Sequence, residues 1–445
     1  MTHLALWISQ AQFFVSLSFM LLFLLLEIGL AWALVYFKLR SLGGDSRWLE
    51  AYRFWVRVFA MAFIVAFGAA VPVMIQFGSL WPMLMERVGN VAGPLLAVAV
   101  LSVFLFKSCF VGVMLFGQRH ISPRLHATLV VVVAAGVTLA TLWPVMLFAW
   151  LRTPAGAVYS NGQYVVTDWF SVFFNPSFPW YASLLILLAL AIACLFMLGV
   201  AALQGVWRAW GEPEQAVFNV SVRAAVMSLL ALAVVSILAA RALAVHEPGR
   251  AAAAMGYWQS AGQPSVAILA VPDAHGTGDR WAWRWHGVGG GFLARDADGG
   301  YRGLDQFSGM APPAGLTFWT LRLAVLGTAM LLLVAAIGWW RVRAHGGDPQ
   351  ALSRWLLHAL VLAGFGSGLV AVLGFAHVFM GAHPYAVAGT VTQSEVLADV
   401  SVASLLAGGL ALLAVYILCM AGFLQLLWHY MRYGVVPIAR HRGRA

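Results

Sequence analysis

Nine separate apolar runs of about twenty residues, spread along 445 positions, leave this chain few solutions other than repeated passage through a bilayer. The chain is 62% hydrophobic and only 9% charged, more apolar surface than a water-soluble core can bury. In hydrocarbon every backbone N–H and C=O must be satisfied within its own segment, so the runs are expected to be helices. Hydropathy places them at roughly 12–37, 54–76, 93–117, 125–150, 181–206, 220–244, 317–340, 355–379 and 399–431. The expected fold is therefore an all-α integral membrane protein of nine transmembrane helices.

The formal charge of +10 suggests nucleic acid until its distribution is read. Lys38, Arg40, Arg47, Arg53 and Arg57 follow the first run, Arg119 and Arg124 the third, and Arg208 and Arg223 flank the loop after the fifth. Arg341, Arg343 and Arg354 follow the seventh, and Arg432, Arg440, Arg442 and Arg444 close the chain. The short loops after the second and fourth runs carry only Arg87 and Arg152. This alternation is a positive-inside signature, so the charge reports topology rather than a nucleic-acid partner. It places the N-terminus outside and the C-terminus in the cytoplasm. The opening MTHLALWISQAQ lacks a basic n-region and a small-residue cleavage site, so the first helix is expected to be retained.

Cys109, Cys194 and Cys419 all lie within apolar runs, which argues against a disulfide framework or a cysteine metal site. Residues 245–316, rich in Gly, Pro, Ala and Asp, interrupt the pattern as a long loop on the outer side. Within it SVAILAV (265–271) and RWAWRWHGV (280–288) alternate as strands do, and a small ordered cap is expected. The chain divides into helices one to six (1–244), this outer segment (245–316), helices seven to nine (317–435) and a basic cytoplasmic tail (436–445).

Several local strings point to a family. ISQAQF near residue 8, IQFGSLW (75–81), FVGVMLFG (110–117), LATLW (139–143), FNP (174–176), QPSVAILAVPD (263–273) and GAHPY (381–385) occur in order. With nine helices and a long loop after the sixth, they resemble subunit I of the cytochrome bd quinol oxidases over roughly residues 8–435. The resemblance implies haem b and haem d cofactors, a quinol substrate bound at the outer loop, and a second membrane subunit.

The residues that hold the haems in that family do not carry over. Its first-helix histidine falls at Met20, its third-helix glutamates at Ala99 and Lys107, and its fifth-helix histidine near Leu184. The seventh-helix methionine falls near Leu323, the eighth-helix glutamate at Phe379, the GRQPW arginine at Ala382 and the EFQFG glutamate at Met74. Alanine, leucine and phenylalanine offer haem iron no donor. Met20, a thioether, and His377, two residues from Phe379, are the remaining weak haem-ligand candidates. His126, His358 and His429 lie near cytoplasmic helix ends and form no pair. The expectation is a chain without resident haem.

Two further features concern charge. Lys107 lies about nine residues from its cytoplasmic helix end, roughly 13 Å deep, where an ion costs about 3 kcal/mol on insertion scales. Glu27 lies at matching depth, and a Glu27–Lys107 ion pair is expected. In the outer loop the family's quinol-binding lysine and glutamate fall at Arg250 and Met255, followed by Trp258. A cation survives where the acid does not, leaving Arg250 and Trp258 as a weak site for a quinone headgroup or for membrane lipid.

The functional expectation is a haem-poor, non-catalytic or regulatory subunit pairing with a bd subunit II-like or second subunit I-like membrane protein. The small-residue face of the last helix, Ala403, Ala407, Gly408, Gly409 and Ala411, is a candidate contact. The alternatives are an active quinol oxidase subunit with relocated ligands, or an unrelated transporter.

Overall fold

The structure, a computed structural model, describes residues 2–260, 263–273, 278–296, 298–307 and 309–433. The side chains of Thr2, His3, Lys107, Ser108, Arg119 and Tyr433 and the expected basic tail at 436–445 lie outside the described residues.

Among the described residues nine helical spans are long and apolar enough to cross a membrane. They are α1 (Thr2–Ser41), α2 (Ser46–Ser79), α3 (Pro82–Val103) continuing through a π-helical turn (Phe104–Ser108) into α4 (Cys109–Phe116), and α5 (Pro123–Arg152). A hairpin of β1 (Ala157–Ser160) and β2 (Gln163–Val166) and the short α6 (Trp169–Phe173) lead to α7 (Phe178–Trp207) and α8 (Glu212–Leu243). Then come α9 (Pro248–Met255), β3 (Ser265–Pro272), β4 (Asp279–His286), α10 (Ala314–Ala344), α11 (Arg354–Gly381), β5 (Tyr385–Val387), β6 (Val391–Thr392) and α12 (Val402–Tyr433).

Helix starts follow the local chemistry. Ser122 Oγ accepts from Leu125 N at 3.3 Å with Pro123 as first helical residue, and Ser353 Oγ accepts from Leu356 N at 3.4 Å. Helix α1 is the central element, packed by α2, α5, α7, α11 and α12, which is why Leu25, Ile28, Leu30 and Leu34 are wholly buried. Without a hydrophobic drive between helices in lipid, close approach comes from small residues. Gly29 of α1 lies against Ala189 and Ala193 of α7, and Gly199 of α7 lies directly on Gly364 of α11.

Consecutive spans reverse direction, so α1 begins, and α5, α8 and α11 end, at one face of the bundle, the face that also carries the described residues of the segment 245–316. The two segments expected as strands are β3 and β4, paired antiparallel, with Ala267 and Ala270 buried against Phe318 of α10. Arg322, eight residues into α10, fixes the hairpin: its guanidinium lies over the Phe318 ring and donates to the carbonyls of Ala254, Ala267 and Ile268. Trp281, Trp283 and Trp285 project from the opposite face of β4 and are exposed.

Two expectations change. Leu323, near which the family's seventh-helix methionine falls, does not face the bundle interior but is 44% exposed on the outside of α10. Part of the small-residue face of α12 is already used inside the chain, where Gly408 and Gly409 meet Gln12 of α1. The rest of α12 is the least covered span of the nine, alongside the third.

Candidate functional site

The loop-bearing face holds a pocket of about 590 Å³ formed where α5, α8, α9 and α11 end or begin. Helix α5 stops at Arg152, because Pro154 follows and Thr153 turns to hydrogen-bond Ala149 O and Asn175 Oδ1. The buried Asn175 in turn accepts from Phe178 N at 3.1 Å, which sets the start of α7 and places Tyr181 one turn inward. Pro248 starts α9, so Glu247 and Arg250 flank its first turn on one face.

These residues form a closed triad. Tyr181 Oη donates to Glu247 Oε1 at 2.8 Å, Arg250 Nη1 donates to Tyr181 Oη at 2.9 Å, and Arg250 Nη2 pairs with Glu247 Oε1 at 3.1 Å. The stem of Arg250 runs over Gly381, where a Cβ has no room. Burial works against the Arg250 charge, but Glu247 and the Tyr181 hydroxyl outweigh it and hold the pKa above its usual value. Arg152, only 7% exposed, lines the same pocket; its guanidinium sits 5.0 Å from the Phe148 ring centroid and its Nε has no hydrogen-bond partner.

His383 forms the pocket's other wall. Its Nε2 donates to Gln10 Oε1 at 2.7 Å, Gln10 Nε2 reaches Gln393 Oε1 at 2.5 Å, and Trp7 stacks on the imidazole. Burial pushes His383 down to about 4, overcoming the Phe379 and Met380 carbonyls that favour a proton, so the ring is neutral at pH 7. Below it lies an aromatic cluster: Phe14 stacks on Phe375 at 5.6 Å and meets Phe379 at 5.3 Å, and Phe379 reaches the His383 ring at 5.9 Å.

The sequence-derived site residues fall as follows. Arg250 is in the pocket, whereas Trp258 packs away from it against Ala252, Ala253 and Leu304. The expected pairing of Arg250 with Trp258 is therefore corrected, since the helix between them ends at a left-handed Gly256 that turns the tryptophan aside. Met255 brings no acid to Arg250; the carboxylate beside it is Glu247, three residues earlier in the chain. Met20 is half-buried among apolar neighbours, and His377 Nδ1 lies 3.0 Å from Thr317 O of α10. Phe14 opposite Phe375 and Leu22 opposite Gly368 fix the α1–α11 register, so His377 stands about seven residues, or roughly 10 Å, above the level of Met20. The two are not opposite ligands of one iron. Among the described residues no group of three or more His, Cys, Asp or Glu side chains is placed to hold a metal ion.

Sequence reasoning missed Tyr181, His383 and the role of Arg152. A signal existed for Arg152: it and Arg87 are the arginines of the two short loops on the side that the charge alternation leaves poor in basic residues. The structure gives Arg87 an acid, Glu395 at 2.7 Å, but among the described residues gives Arg152 none at hydrogen-bonding distance.

Comparison with known proteins accords with this architecture. Residues 8–435 match the family model for cytochrome bd terminal oxidase subunit I. The chain is 23% identical over 414 residues to cytochrome bd ubiquinol oxidase subunit 1 of Bacillus subtilis, covering 90% of this chain and 87% of that one. It is 27% identical over 172 residues to cytochrome bd-II ubiquinol oxidase subunit 1 of Escherichia coli, covering 38% and 34%. A chain of the bd oxidase structure from Geobacillus thermodenitrificans superposes with a TM-score of 0.86 at 18% identity, covering 97% of this chain and 99% of that one. An unrelated transporter is thereby set aside: this multi-pass membrane protein belongs to the cytochrome bd terminal oxidase subunit I family.

Proposed function

We propose that the chain is a haem-poor, non-catalytic or regulatory subunit of a respiratory membrane complex, keeping the subunit I scaffold and pairing with a second membrane subunit. The observation that carries this is Phe379. It stands where the family's eighth-helix glutamate falls, is 8% exposed, and is enclosed by Phe14, Phe375 and His383. Ala99, Leu184 and Phe379, at three of the family's ligand positions, carry no donor for a haem iron, and Met20 and His377 are too far apart along the helices to share one.

The relatives are named as subunit 1 of their oxidases, which supports a further subunit here. The exposed apolar faces of α12, with Leu410, Ile417 and Leu418, and of the third span, with Leu101 and Phe104, are the surfaces for it or for lipid. The charge alternation supports an outer loop-bearing face and a cytoplasmic end for α12.

The test is the reduced-minus-oxidised visible spectrum of the chain purified alone and with its co-purifying partners. No bands alone but bands in the complex are expected. Bands from the isolated chain overturn the proposal, and no bands in either preparation remove the protein from oxygen chemistry.

A further inference from the structure

The pocket at the loop-bearing face has one positive charge more than it can neutralise. Two arginines, Arg152 and Arg250, and one carboxylate residue, Glu247, line it together with His246 and His383, and the His383 ring is neutral at pH 7. Glu247 is committed to Arg250 and Tyr181 through the same oxygen. Arg152 is more than nine-tenths buried and keeps an unpartnered Nε; it shares the field of Glu247 with Arg250, but among the described residues no acid pairs with it directly, and the Phe148 ring lies against its guanidinium. A buried guanidinium left this way is costly, and an arriving anion relieves the cost.

We infer that this pocket binds a phosphate-bearing anion, with Arg152 as its principal contact and Arg250 as support. A guanidinium presents a planar fork of donors that matches phosphate oxygens in pairs. The remaining walls are apolar, among them Val245, Phe307, Met310 and Pro312, and the volume of about 590 Å³ far exceeds a bare anion. The mouth lies at the ends of α5, α8 and α11, the level at which lipid headgroups meet water. A phosphate ester of an amphiphile fits charge, walls and level together; inorganic phosphate shares the charge alone.

The test uses the full chain in detergent, with thermal unfolding read by its intrinsic tryptophan fluorescence. The probes are short-chain phosphatidylglycerol below its micellar concentration, the matching diacylglycerol without phosphate, inorganic phosphate, and a short-chain quinone. Saturable stabilisation by phosphatidylglycerol and none by diacylglycerol is expected. In Arg152→Leu the apparent affinity should fall at least about tenfold, a difference of about 1.4 kcal/mol. Arg152→Lys, which keeps the charge without the fork, should fall between. Arg343→Leu, at the opposite end of α10, should match the parent. Because Arg152→Leu removes an uncompensated cation, its ligand-free midpoint should not drop, which separates lost binding from lost folding. If inorganic phosphate saturates the effect as tightly as the lipid, the site stands and its occupant is a free oxyanion. Equal responses of parent and Arg152→Leu, or a response to quinone with none to either phosphate compound, would overturn the inference.

Discussion

Tyr181 and Glu247, sixty-six positions apart, share a 2.8 Å hydrogen bond that ties the first turn of α7 to the start of α9. Arg250 closes the triad from the same side, so the acid holds a phenol and a guanidinium at once. The two partners of this bond should respond unequally. Tyr181→Phe removes two hydrogen bonds, one donated to Glu247 and one accepted from Arg250, but leaves the ion pair, and should cost about 1–2 kcal/mol. Glu247→Ala leaves Arg250 and Arg152 facing each other without an acid and should cost about 3–5 kcal/mol. Denaturant unfolding of the detergent-solubilised variants reads both; equal losses would mean that the triad's charge balance is unimportant.

His383 gives the fold a pH dependence of definite sign. Its folded pKa, about 4, lies below the ordinary 6.5, so between these values the unfolded chain binds the proton and the folded chain does not. Stability from this group is complete above about pH 6.5, falls as the pH drops toward 4, and is flat below that. The full span is on the order of 3 kcal/mol. His383→Gln should flatten the unfolding midpoint over this window, and an unchanged slope would assign the pH dependence to other groups.

The aromatic cluster below His383 should behave as core. Phe379→Ala opens a cavity between Phe14 and Phe375 and should cost about 3–5 kcal/mol, whereas Phe379→Leu should cost markedly less. If Phe379→Ala is instead neutral, the space is open and the packing argument against a haem there fails.

What the sequence made legible was whatever depends on pattern along the chain. The nine apolar runs and the alternation that marks β3 and β4 emerge in place, because helix and hairpin each have a period. What depends on contacts between distant segments was not legible. Nothing in the local sequence says that Tyr181 meets Glu247, or that Gln10 joins His383 to Gln393 across more than 370 positions. Leu323 illustrates the same limit: a position along α10 was readable, but its direction, outward, was set by the packing of α10 on α11 and α8. Arg152 lay between the two cases, conspicuous by its sign at the wrong helix end but without a partner to give it meaning.

The last prediction concerns Glu27, which is wholly buried in α1 among Leu25, Leu26, Ile28 and Leu30. The Lys107 side chain lies outside the described residues, but its backbone belongs to the π-helical turn Phe104–Ser108, and both this turn and α1 pack against α5. A π turn changes the face on which the following residues point, a device common at functional positions. We propose that Glu27 and Lys107 neutralise each other, in a structural rather than a proton-conducting role. Removing one partner of a buried pair should cost about 3–5 kcal/mol, because the other charge is left in a medium that does not solvate it. Glu27→Gln and Lys107→Met should therefore each destabilise the purified protein, and the double variant should recover most of the loss, with a coupling above about 2 kcal/mol. A Glu27→Gln protein that folds as the parent does, together with a Lys107→Met protein that is more stable, would show that the two charges do not meet.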